Sequence, residues 1–242
     1  MEPGKERIAK YIARSGVCSR RQAEEKIRTG AVFVNGQCID TPAYFITEQD
    51  KVVVDGQPVQ PQEDVRLWLY HKPKGLMTTY KDPQGRATVF DKLPASLPRV
   101  VSVGRLDLSS EGLLLLTNSG ALAHKLEKPS NGWKRKYRVR IRGTLTEDQI
   151  QQIQKGITIK GIRYAPAKVE KDEQQGKGTN QWFTLTLTEG KNREIRNIMA
   201  HFHHPVSRLI RIAYGPFQLG LLPPGAIKEV PSKVIKEQIS CV

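Results

Sequence analysis

The sequence predicts an α+β chain in two parts. Apolar residues recur at helical spacing in the first thirty positions, paired strand-and-turn signatures follow, and strand-like segments separated by helices fill the rest. Over residues 6–15, Ile8, Tyr11 and Ile12 form one helical face, and Gly16 stops the pattern as a C-terminal cap does. Ser19 with Gln22 three residues on is a capping-box arrangement, and Ala23 and Ile27 supply the buried face of a second helix ending near Gly30. Val32 and Val34 before Asn35-Gly36, then Val52-Val53-Val54 before Asp55-Gly56, read as strands running into tight hairpin turns. A small sheet should therefore back the helices. Pro58, Pro61 and Glu63-Asp64 interrupt the apolar pattern before Leu67-Trp68-Leu69-Tyr70 starts a new strand, which places a linker near residues 58–65. Further on, residues 137–141 and 182–187 are strand-like, with helices between them and no repeat at a period of 20–50 residues.

The 242 residues carry 39 Lys and Arg against 24 Asp and Glu, a net charge of +15, which favours a polyanionic partner, nucleic acid or an anionic membrane surface. With 38% hydrophobic and 26% charged residues the composition is globular, which excludes disordered and fibrous classes. The longest aliphatic run, residues 113–116, is far short of the roughly 18 apolar residues of a membrane span. No secretory apolar core follows Met1. Cys18, Cys38 and Cys241 are odd in number and form no C-x-x-C pair, so a disulfide framework and a cysteine zinc site are not expected, and a cytoplasmic location is. Lys10, Arg14, Arg20, Arg21, Lys26 and Arg28 give the first helices an electropositive surface suited to nucleic acid.

Residues 7–13, then Ser15-Gly16-Val17-Cys18-Ser19-Arg20-Arg21 and Gly30-Ala31-Val32-Phe33-Val34-Asn35-Gly36, resemble an S4 RNA-binding domain. Through Val103-Gly104-Arg105-Leu106-Asp107 and Glu189-Gly190-Lys191-Asn192-Arg193-Glu194-Ile195-Arg196, residues 66–230 resemble the catalytic domain of the RsuA/RluB/RluE/RluF family of ribosomal RNA pseudouridine synthases. The resemblance implies an αL-type helix-turn-helix with a small sheet over 1–62, followed by a mixed, mainly antiparallel sheet domain over 63–242.

In the stretch Val103-Gly104-Arg105-Leu106-Asp107-Leu108-Ser109-Ser110-Glu111-Gly112, continuing to Asn118, the resemblance makes Asp107 the catalytic carboxylate. On local chemistry alone, an Asp between Arg105 and two serines reads as a turn or helix cap. A covalent carboxylate needs a cation beside it to keep it ionised away from water. Glu189-Gly190-Lys191-Asn192-Arg193-Glu194-Ile195-Arg196 resembles the family's arginine motif, which implies that Arg196 pairs with Asp107 and leaves Arg193 as a phosphate contact. The bland alternative is a solvated helix start. Tyr137, in Lys134-Arg135-Lys136-Tyr137-Arg138, matches the tyrosine that stacks on the target uracil, and Leu209 matches the leucine packed beneath it. Alternation puts Val139 and Ile141 on the side of Tyr137 and the basic residues on the other. Further RNA contacts are expected at Arg105, Lys134, Lys136, Lys191 and Arg211.

His203 stands where many relatives of that family carry glycine, and a positive φ there would strain it. His201, His203 and His204 lack the carboxylate motif of a metal site, and without a Gly-rich phosphate loop no metal or cofactor is expected. The resulting expectation is a monomeric rRNA pseudouridine synthase that flips its target uridine into a pocket. Asn180-Gln181-Trp182-Phe183 and the arginine motif point to the RluB branch, which acts on large-subunit RNA. A small-subunit target and a non-catalytic assembly factor are the alternatives. A membrane-surface protein ranks last, because no long basic amphipathic helix with a bulky aromatic face is present.

Overall fold

The computed structural model describes residues 5–60, 64–172 and 179–239. The expected domain boundary at 62/63 and Cys241 lie outside the described residues. By internal packing the chain divides into two compact units, one of Met1–Arg66 with Ala95–Val101 and Thr117–Leu122, the other of Leu67–Pro94, Ser102–Leu116 and Ala123–Val242.

The first unit contains β1 (Glu6–Arg7), α1 (Ile8–Arg14), α2 (Arg20–Arg28), β2 (Val32–Val34), β3 (Gln37–Cys38), β4 (Phe45–Ile46), β5 (Val52–Val54) and β6 (Gln57–Pro58). The first helix starts two residues later than residue 6, because Glu6 and Arg7 pair with β4. Ser19 Oγ accepts from the Gln22 N–H at 3.2 Å and the Gln22 side chain accepts from the Ser19 N–H at 2.9 Å, so the capping box closes. Both hairpins turn as their sequences require, with positive φ at Asn35-Gly36 and at Asp55-Gly56. Ile8, Ile12, Ala23 and Ile27 pack on Val32, Val34, Val52 and Val54, which makes one core from the apolar positions read off the sequence, Val53 excepted.

The remaining elements are β7 (Leu67–Lys72), β8 (Val101–Val103), β9 (Glu111–Thr117), α3 (Gly120–Glu127), β10 (Arg135–Arg142), α4 (Glu147–Lys155), β11 (Thr158–Ile159), β12 (Ile162–Arg163), β13 (Lys168–Lys171), β14 (Asn180–Leu187), α5 (Glu194–His201), β15 (Val206–Tyr214), β16 (Phe217–Gln218), β17 (Ile227–Glu229) and α6 (Ser232–Ile239). A nine-stranded sheet runs β13-β14-β10-β15-β9-β7-β17, with β16 on β15 and β8 on β9. Pairing is antiparallel from β13 through β15 and between β17 and β7, whereas β15 and β9 run parallel. Leu113, Leu114, Leu115 and Leu116 are all fully buried, as expected of a strand covered on both faces. Ile153 of α4 and Ile195, Ile198 and Met199 of α5 pack with Val139, Ile141, Phe183 and Leu185 of the sheet.

Candidate active site

Asp107 sits on the turn that leads into β9, and the backbone on either side of it is fixed. Ser110 N–H donates to the Asp107 carbonyl at 3.0 Å, and the Thr78 hydroxyl donates to the Leu106 carbonyl at 2.8 Å. The main anchor is Lys72 at the end of β7. Its Nζ donates to the carbonyls of Pro73 at 3.1 Å, Asp107 at 3.1 Å and Ser110 at 2.9 Å, and the residue is 0% exposed. Burial lowers its pKa to about 8, although the carboxylates of Asp107 and Glu111 oppose the shift. The Asp107 side chain stays 35% exposed. Its backbone is thus held from below while its carboxylate faces outward.

The next two motif residues join this turn to the sheet. Arg208 on β15 makes a two-pronged pair with Glu111, at 3.0 and 2.9 Å. Gly112, at φ +105°, pairs with Arg211, and a Cβ there would lie 2.3 Å from the Arg211 carbonyl oxygen. Only glycine lets the two strands approach this closely. At the far end of the motif, the Thr117 hydroxyl donates to the Arg66 carbonyl, and Asn118 bonds the backbone at Asp64 and Arg66. Those two residues pin the chain rather than serve chemistry.

The arginine motif places its charges differently from expectation. Arg193 Nη1 lies 3.9 Å from Asp107 Oδ2, the ion pair that the sequence reading gave to Arg196. Arg196 instead donates from Nη2 to the Ser109 carbonyl at 3.0 Å and from Nη1 to the Val206 carbonyl at 3.3 Å. It braces the same turn through the backbone. Burial and the nearby Arg193 lower its pKa, and the Asp107 charge works against that shift. The reason lies at the start of α5, where Arg193 is the N-cap residue in the left-handed region at φ +49°. That conformation turns the chain so that Arg193, three residues before Arg196, meets the carboxylate.

Tyr137, Arg211 and Gly112 form one row across β10, β15 and β9, and the pair Val139–Leu209 lies beside it on the same face. At roughly 4.8 Å per strand, the tyrosine backbone is two strands, on the order of 10 Å, from the residue that follows the Asp107 turn. Tyr137 is half-buried against the core that contains Leu209, Val139 and Leu185. The alternation holds: Val139 and Ile141 are buried, while Arg140 and Arg142 are exposed.

The other expected RNA contacts separate into three groups. Arg20, Arg21, Arg105 and Lys134 are exposed and without a partner among the described residues. Several are tied to acids: Lys10 and Arg14 to Glu6, Lys26 to Asp55, Arg28 to Glu25, Lys136 to Glu170, and Lys191 to Glu189. Arg211 departs from the expectation altogether. It is 3% exposed, and its Nε donates to the Leu113 carbonyl at 2.7 Å, because its place in the Tyr137 row points it into the sheet's covered face. His203 does take a positive φ, +60°. Among the described residues no group of three or more His, Cys, Asp or Glu side chains is placed to hold a metal ion. Lys72 was not expected as a site residue; the signal was a lysine ending an otherwise apolar strand beside His71.

The RNA pseudouridylate synthase family model matches residues 66–201 and the S4 domain model residues 6–52. A protein of Rickettsia felis named as an uncharacterized RNA pseudouridine synthase is 47% identical over 96% of this chain and 100% of its own length. The ribosomal large subunit pseudouridine synthase B of Yersinia pestis is 40% identical over 94% of this chain and 73% of its own length. A crystal structure of a pseudouridylate synthase superposes with a TM-score of 0.67 at 25% identity, covering 96% of this chain and 99% of that one. With an S4 domain ahead of a sheet that carries the Asp107 turn, the chain belongs to the RNA pseudouridylate synthase family.

Proposed function

We propose that this isomerase converts one uridine of large-subunit ribosomal RNA to pseudouridine, with Asp107 as its catalytic carboxylate. The observation that carries the assignment of Asp107 is its setting: a half-exposed carboxylate faces a guanidinium 3.9 Å away, on a turn braced by buried Lys72 and by Arg196. Both a direct attack on C1′ and a glycal-type route call on a carboxylate with a cation beside it, and Arg193 is that cation here. The reaction breaks the N1–C1′ bond, turns the uracil and joins C5 to C1′, and the C5 proton leaves while N1 gains one.

Tyr137 is the stacking platform in this reading, worth about 1–3 kcal/mol against a base, with Leu209 in the core behind it. Stacking offsets part of the few kcal/mol needed to flip the base out of folded RNA. Arg20, Arg21, Arg105 and Lys134 take the RNA backbone, and Arg193 both faces Asp107 and meets a phosphate. The large-subunit target rests on the name of the Yersinia pestis relative. The protein acts as a monomer, in the cytoplasm.

The test is pseudouridine mapping by carbodiimide labelling and primer extension on rRNA from cells lacking this protein, complemented with wild type or Asp107→Asn. One large-subunit site should vanish and return only with wild type, while the variant binds RNA nearly as well and turns over at least about 10⁴-fold more slowly. An unchanged modification pattern would make it an assembly factor.

A further inference from the structure

The segment 189–196 packs two acids among three cations, and only one of the acids is equipped to carry a negative charge. Glu189 Oε1 accepts from the Ala165 N–H at 2.7 Å, and its other oxygen meets the Lys191 ammonium. Burial would raise its pKa, but these bonds together with one from Glu194 hold it below the ordinary range. Glu194 has no such support. It is 3% exposed, its Oε2 accepts from the Lys191 N–H at 3.1 Å, and its buried Oε1 accepts no hydrogen bond. The two carboxyl groups converge on the same residue, Glu189 on the Lys191 ammonium and Glu194 on the Lys191 N–H, and Glu194 feels the charge of Glu189. Neighbouring carboxylates cannot both ionise without strong repulsion, so the proton belongs on the one that lacks a cation.

We infer that Glu194 works as a neutral carboxylic acid that donates a hydrogen bond to the Glu189 carboxylate, closing the loop that delivers Arg193 and Arg196 to the Asp107 turn. It is a positioning residue for the reaction, and the inference rests on the reading of this site given above. Burial, then the Glu189 charge, push the Glu194 pKa up to about 7, with Lys191 opposing. The other faces of α5 bring little charge. β11 carries no ionisable side chain, Tyr164 is bonded to Asn197, and of the β15 residues Arg208 is paired with Glu111, Arg211 with the Leu113 carbonyl, and Tyr214 with the Leu126 carbonyl. Without the bond, Glu194 keeps only its two contacts with the Lys191 backbone, and the left-handed Arg193 between them is held less firmly.

The experiment compares wild type, Glu194→Gln and Glu194→Ala in two ways: single-turnover pseudouridine formation on rRNA from cells lacking the protein, and thermal unfolding without RNA, both across pH. Glutamine keeps the donor without the titration. It should match wild type on the acid side and hold its rate where wild type declines, by up to about tenfold per pH unit above pH 7. Alanine should be slow throughout. Because the native Glu194 keeps a proton that the unfolded chain has released, wild-type stability falls as pH rises from about 4.5 to 7, and Glu194→Gln lacks that component. A glutamine variant that shares the wild-type pH profile and unfolding slope, or that is as slow as alanine, overturns the inference. If wild type forms no pseudouridine in that RNA, the functional reading fails, and the unfolding slopes still decide the carboxyl pair.

Discussion

Around the N-terminal helices, cations meet acids that are close in sequence or open to water: Glu6 takes Lys10 and Arg14, Glu25 takes Arg28, and Asp55 takes Lys26. Around Asp107, cations arrive from 35 and 87 residues away and end largely on buried backbone carbonyls. Exposed ion pairs contribute little, are screened by salt, and exchange readily for an RNA phosphate. A buried charged donor on a carbonyl is worth about 1.5–3 kcal/mol and leaves a costly gap when removed. One region therefore keeps its charge available for exchange, and the other uses charge as fixed framework.

Substitutions in the fixed region should break the fold and the reaction together. The largest effect is expected for Gly112→Ala: a positive φ and a Cβ driven into the Arg211 backbone should cost about 2–5 kcal/mol, seen as a lowered denaturant midpoint with unchanged m. Lys72→Met should cost about 2–3 kcal/mol, since the carbonyls of Pro73, Asp107 and Ser110 lose their shared donor. It also carries a pH signature. The native Lys72 gives up its proton near pH 8 and the unfolded one near 10.5, so this residue makes stability rise over that interval, and the methionine variant loses that rise in pH-dependent unfolding.

The two arginines sharpen the contrast within one helix. Arg196→Ala should lose about 2 kcal/mol of stability along with rate, whereas Arg193→Ala should lose rate and leave the unfolding midpoint in place. In the exchangeable region, Arg20→Ala with Arg21→Ala should lower RNA affinity about fivefold without touching stability. The slope of log K against log salt should shrink by about 1.4, the equivalent of two single-strand phosphate contacts, in a binding titration.

The same contrast decides what the sequence makes legible. The capping box at Ser19 and the Asn35-Gly36 and Asp55-Gly56 turns are local signals, and each appears where its spacing puts it. The positive φ at His203 is hinted at only by the glycine that relatives of the resembled family carry there, since nothing in a histidine side chain asks for one. The site is a long-range object. Its strands and its candidate residues can be named from the motifs, but not which of two arginines three residues apart meets Asp107. That depends on a left-handed N-cap, and nothing in the side chain of Arg193 announces one. Arg211 reads as a surface cation until the β10–β15 register shows which face it shares. Lys72 reads as a strand end until the three carbonyls it serves are brought together by the turn.

The parallel pairing of β9 with β15 also bears on how the chain is made. Glu111 and its partner Arg208 are 97 residues apart, and every segment from α3 through α5 lies in the crossover between them. A ribosome translating this message releases Asp107 long before it releases the strand against which the Asp107 turn closes. The nascent protein can fold its basic N-terminal helices early, since those rest on local contacts. A competent site waits until β15 has been made, so a chain truncated within the crossover from α3 to α5 can be expected to hold RNA without altering it.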